Sequence, residues 1–229
     1  WALMLDKKVF GLDDDRTNYA CLPATTLPSQ DILVVRYAAP WQVGGITTPA
    51  FQNNQIYLRS SLFEGRLFAG SDNADATNLM PAAAAVRTSE MVSRVYFINP
   101  ATATGTAKCG GGTVPSLFRL GLANGVPTVE EVAYGVENLQ VQYGIDTPPQ
   151  DGSVDSYVDA GAPTDAMWDQ LVAVRFWLLV RATDQLHIRH RSLVPRPIAA
   201  FQDPQIAPRA LAVSRPELLK QLPYRYVVA

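Results

Sequence analysis

The chain has 229 residues, 48% hydrophobic and 17% charged, with a formal net charge of −2. That is enough apolar material for a packed core and too little net charge for disorder. The near-neutral balance also lacks the basic excess of a nucleic-acid binder, so no direct nucleic-acid binding is expected.

Taken in chain order, strand-like runs dominate. The chain opens at Trp1 without a Met, and the expectation is that an upstream piece is missing. Residues 31–38 (DILVVRYA), 55–60 (QIYLRS) and 65–69 (GRLFA) read as short strands. Residues 91–99 (MVSRVYFIN) form another, which stops at Pro100 because proline cannot donate to a ladder. Residues 116–122 (SLFRLGL) follow. Residues 136–145 alternate, with Val136, Leu139, Val141, Tyr143 and Ile145 apolar and Glu137, Gln140 and Gln142 polar. Residues 171–181 (LVAVRFWLLVR) are apolar almost throughout, the pattern of a strand buried on both faces. At about ten residues, with Arg175 inside, this run is too short to span a membrane.

Helical signals are few. Residues 164–169 suggest one turn capped by Thr164. The Ala-rich 81–86 suggests another, begun by Pro81, and 216–221 (PELLKQ) a third. Loops are predicted at 70–79, at the Gly-rich 102–113, at the acidic 146–165 and at the proline-rich 196–208. No internal repeat or linker interrupts the chain, so residues 1–229 read as a single domain.

Motifs for chemistry are scarce. Gly110, Gly111 and Gly112 lack the GxxxxGK[ST] pattern of a phosphate loop and read as a turn. There is no GxSxG elbow. His187 and His190 are three apart on a strand-like run and face opposite sides, which argues against a shared metal. With Arg175, Arg181, Arg189, Arg191 and Arg196 they make a locally basic stretch, read as a solvated strand face. Glu130, Glu131 and Glu137 show no spacing that selects a catalytic pair. Asp146, Asp151 and Asp155, with Gly152, resemble a calcium loop and are the candidate metal ligands. Pro148 and Pro149 break the DxDxDG spacing, and the competing reading is an acidic surface loop. Cys21 and Cys109 sit in no CxxC or Cys/His cluster, which excludes an ordinary zinc site. Either they form one disulfide in an oxidising compartment or they are two buried thiols.

The run VEEVAYGVENLQVQYGID (residues 129–146) resembles the signature of PilW-type minor pilins of type IV pili. It is followed, as in that family, by an acidic loop (146–165), Trp168 and VAVRFWLLVR (172–181). Weaker matching pieces are Cys21 followed by the strand 29–37, the strand 95–98 and the run 115–119. The resemblance implies an α+β, mostly antiparallel β, pilin-like globular domain whose N-terminal transmembrane helix is missing from this chain. It implies a structural subunit, not an enzyme, relative to the pseudopilin GspJ. Such a subunit primes pilus assembly within the tip complex of the fimbrium, with effects on twitching motility, cell adhesion and DNA uptake.

Implied partners are FimU-, PilV- and PilX-type minor pilins and a PilY-type tip adhesin. The implied location is the inner membrane, held by the missing helix with the globular domain in the periplasm, then the extracellular pilus tip. That setting favours pairing of Cys21 with Cys109. No cofactor is implied beyond the candidate calcium. Two other readings compete. A secreted ligand- or carbohydrate-binding β-sandwich would need Trp41, Tyr57 and Trp177 to line one groove. A secreted hydrolase would need His187 or His190 beside a carboxylate and a serine.

Overall fold

The computed structural model describes residues 7–14, 22, 26, 29–43, 50–81, 83, 85–101 and 113–181, with the backbone alone at 225–228. Among the described residues, eleven strands and two short α-helices are formed, in the order β1 (Val9–Leu12), β2 (Ile32–Ala38), β3 (Ile56–Ser60), β4 (Gly65–Ala69), α1 (Asn73–Leu79), β5 (Arg87–Asn99), β6 (Ser116–Ala123), β7 (Val126–Tyr134), β8 (Val136–Ile145), β9 (Ser156–Asp159), α2 (Asp165–Trp168), β10 (Leu171–Arg181) and β11 (Arg225–Val228). The fold is mostly antiparallel β, as the sequence led one to expect.

Two sheets carry the structure. The first has seven strands, β1 to β7, organised on β5. That strand is 13 residues long. It pairs with β3 over Arg87–Glu90, with β2 over Met91–Tyr96 and with β6 over Arg94–Asn99. The second sheet runs β11-β10-β8-β9.

Period-two alternation on β5 feeds two separate cores. Val95 and Phe97 point one way and pack with Ile32, Val34, Phe118 and Leu120. Ile98 points the other way and, with Leu117, joins the inner face of the second sheet: Val136, Leu139, Val141, Tyr143 and Ile145, closed by Ala160 and Trp168. A smaller cluster of Val43, Tyr57, Phe68 and Ala76 lies under α1.

β7 and β8 are almost one continuous strand, yet they belong to different sheets. The chain changes sheet at Gly135, whose φ of 78° lies in the left-handed region that favours glycine. The Gly135 carbonyl accepts the Arg181 amide at 2.9 Å, which fixes the crossing point against the end of β10.

Several expectations need correction. The apolar run 171–181 is a strand, but none of its residues is fully buried. Val174, Leu178 and Val180 pack on the core. Phe176, on the same face opposite Val141, is nevertheless 47% exposed, and Ala173, Arg175, Trp177 and Leu179 on the other face are half-buried. The run looked buried on both faces because Ala173, Trp177 and Leu179 are also apolar. Arg175, on that other face, lies over the Tyr157 ring, 3.7 Å from its centroid.

The polar stretch 70–79, predicted as a loop, is a 3-10 turn (Gly70–Asp72) running into α1. The helix predicted at 81–86 does not form: Ala83 and Ala85 are non-helical, and the Val86 amide closes only a turn onto Ala83. Pro81 explains both outcomes. It pushes the residue before it out of the α region, and Met80 ends α1 at φ −134°, ψ 82°. α2 starts after Thr164, as predicted, although the threonine side chain makes no capping bond. Strands β1, β7 and β9 were not anticipated. The predicted helix at 216–221 lies outside the described residues. No helix among the described residues is long and apolar enough to cross a membrane.

Candidate functional site

The acidic loop is an ordered return. Asp146 is buried at its start, and its amide donates to the Gln170 carbonyl at 2.9 Å. Its carboxylate accepts the Gly152 amide at 2.7 Å and the Asp151 amide at 3.4 Å. Asp151 accepts the Ser153 amide at 2.8 Å. Asp155 accepts both the amide and the hydroxyl of Thr147, which holds its carboxyl below the usual range. The loop then pairs as β9 with the last four residues of β8. The three candidate calcium ligands are thus each engaged by the loop's own backbone or hydroxyl donors. Calcium there would have to displace these internal bonds.

β9 covers only the end of the outer edge of β8. The next stretch is covered by the residues entering β2. Gln30 Oε1 accepts the Leu139 amide at 3.0 Å, the Asp31 amide donates to the Leu139 carbonyl at 3.1 Å, and Asp31 Oδ2 accepts the Val141 amide at 2.7 Å. A side chain from the first sheet therefore completes the ladder of the second.

Asp31 is only 2% exposed. Burial pushes its carboxyl from the ordinary 3.8 up to about 7; the Val141 and Asp14 amides oppose this, and the charges of Asp13 and Asp14 add to it. Its second oxygen, Oδ1, is buried without a hydrogen-bond partner. The Tyr143 phenol is also fully buried without a partner for its oxygen. Burial, then the nearby Asp31 charge, raises that phenol above its usual range. It is packed so tightly against β1 that a Cβ at Gly11 would fall 1.9 Å from its oxygen. Asp13, Asp14 and Asp31 each bring a carboxylate oxygen within 4.8 Å of the others. Sequence reading missed this group. The acidic run at 13–15 was visible, but nothing along the chain places Asp31 beside it.

Other sequence candidates fall elsewhere. Arg175 donates to Gln142 Oε1 at 2.9 Å, Arg181 pairs with Glu137, and Glu130 pairs with Arg119. These are cross-strand pairs that hold register. Trp41 and Tyr57 line one hollow of about 540 Å³, whereas Trp177 lies on β10 in the other sheet, so the three aromatics do not share a groove. Cys21, Cys109, His187 and His190 lie outside the described residues, as do Arg189, Arg191 and Arg196.

The segment from β5 to β10 contains the sheet crossing, the ordered acidic loop and the paired strands β8 and β10. Residues 95–207 match the PilW family, type IV pilus-assembly protein W. Over that span the chain is similar to PilW-type proteins. The match begins inside β5 and takes in every strand of the second sheet except β11. The PilW family serves pilus assembly, and its setting is the cell envelope and the pilus. No curated protein and no solved structure matches the chain.

Proposed function

We propose that this chain is a non-catalytic minor pilin that primes type IV pilus assembly and takes a place in the pilus-tip complex. The observation that carries this reading is the PilW match across residues 95–207. The surface supports it. The β3–β4 hairpin ends in Leu62 and Phe63, 79% and 94% exposed, presented by a turn in which Ser61 Oγ accepts the amides of Phe63 and Glu64. Val126, Val129 and Val132 add exposed apolar surface along β7. Protruding apolar residues on a rigid β scaffold suit a subunit that must pack against neighbours.

In this reading the globular domain stands in the periplasm, tethered to the inner membrane by a helix outside this sequence, and then moves to the pilus tip. Its partners are FimU-, PilV- and PilX-type minor pilins and a PilY-type adhesin. Twitching and adhesion depend on it through the filament.

Deleting the gene should abolish or sharply reduce surface pili, and a tagged copy should restore them and co-purify with the other minor pilins. Normal pilus numbers in the deletion strain, or a tagged protein that recovers no pilin, would sink the proposal.

A further inference from the structure

We propose that Asp13, Asp14 and Asp31 bind one divalent cation, calcium, at the seam between the two sheets. Three carboxylates from two chain segments converge with their oxygens within 4.8 Å of one another. Like charges held that close repel unless a cation or a proton stands between them.

Acidic groups often gather on surfaces without an ion, but this group reaches into the interior. Asp31 is 2% exposed, and its Oδ1 has no hydrogen-bond partner. Beside it the Tyr143 oxygen, in a residue with no exposed surface, also lacks one. Buried polar atoms are nearly always satisfied by protein, water or an ion. Two such atoms at one acidic cluster therefore point to a ligand. A cation would satisfy Oδ1 directly, and a water on that cation would reach the phenol.

The donor set selects the ion. All the donors are oxygens, and at least three are carboxylates, which suits a hard cation and excludes a soft one. The ligands come from an irregular turn and a strand entry, so the site has no imposed octahedron. Calcium accepts such a shell, whereas magnesium demands near-ideal geometry and keeps most of its water. Asp13 and Asp14 are exposed, which leaves a path for the ion and room for its remaining waters.

The ion would act as a clamp. Asp13 follows β1 and lies against Gly161 in the turn before α2, where a Cβ would come within 3.2 Å of Asp13. Asp31 holds the edge of β8 through the Val141 amide. One cation would thus tie β1, β2 and the approach to α2 together. The site is separate from the acidic loop at Asp146, Asp151 and Asp155, and it does not depend on the pilus reading.

The test uses the purified protein stripped with a chelator. Terbium should give saturable emission sensitised by Tyr143 and by Trp168, whose ring lies 4.9 Å from that of Tyr143. Calcium should compete it away and raise Tm, with half-saturation at or below about 1 mM, the range of extracellular calcium modules. The double variant Asp13→Asn/Asp14→Asn changes only exposed side chains and should fold normally by circular dichroism while losing the emission and the Tm shift. Asp151→Asn/Asp155→Asn should keep both. The proposal is overturned if calcium at about 10 mM neither competes with terbium nor shifts Tm. It is equally overturned if binding survives in Asp13→Asn/Asp14→Asn, whatever Asp151→Asn/Asp155→Asn does.

Discussion

Asp31 and Val141 lie 110 residues apart, and a 2.7 Å hydrogen bond from the Val141 amide to the Asp31 carboxylate joins the two sheets. The bond does for β8 what β9 does a few residues further along: it satisfies an edge amide that would otherwise be buried unpaired. Replacing Asp31 with Ala should therefore cost about 1–3 kcal/mol, the penalty for an orphaned buried donor. Asp31→Asn keeps an acceptor in place and should cost clearly less. Urea unfolding of the two variants measures the difference, and equal losses would contradict this account of the bond.

The same carboxyl gives stability a pH dependence in metal-free buffer. Its folded value, about 7, is above the unfolded value near 3.8, so the folded state binds the proton more tightly. The stabilisation from that proton is full below about pH 4 and fades as pH rises toward about 7. The charged groups facing Asp31 are Asp13 and Asp14, and Tyr143 lies beside it. Tm measured in chelator should fall over this window for the native chain, and Asp31→Asn should remove most of that slope. A slope unchanged by the substitution would assign it to other groups.

Trp168 closes the core of the second sheet, with its ring centroid 5.2 Å from Phe10 and 4.9 Å from Tyr143. Trp168→Ala would open a cavity between β1 and β8 and should cost about 3–5 kcal/mol. Chemical denaturation checks this. A loss under about 1 kcal/mol would mean that the ring is not a core element.

Gly135 passes the chain between sheets at positive φ. Gly135→Val forces a β-branched residue into that conformation and should cost about 1–2 kcal/mol or more. Because Gly135 also accepts the Arg181 amide, hydrogen exchange at the end of β10 should quicken in the variant. Unchanged protection at Arg181 would count against the proposed coupling.

Phe63→Ser tests surface against core. At 94% exposure the ring contributes little to folding, so Tm should move by less than about 2 °C. If the hairpin tip meets a neighbour in the assembled pilus, co-purification with other minor pilins should weaken severalfold. A variant that assembles normally would move the contact to another surface.

The alternation at 139–145 was legible because period two places Leu139, Val141, Tyr143 and Ile145 on one face, the face in the core, while Val136 joins them through a register irregularity opposite Leu179 and Val180. The run of pieces around it carried the family, since residues 129–181 lie within the matched span. β10 misled because hydrophobicity counts side chains without showing which face a neighbouring sheet covers. β9 was hidden in acidic, proline-bearing sequence, where pairing with β8, not local propensity, makes the strand.

The sequence by itself determined a β-rich chain, most of the strand set and the PilW resemblance, because all three rest on local pattern and order. Tertiary structure alone decided how the chain divides between two sheets at Gly135 and what stands beside Asp31. Those relations join separate segments of the chain, 110 positions apart for Asp31 and Val141, and no local period or spacing encodes such a meeting. It arises when both segments satisfy the same strand edge and the same core.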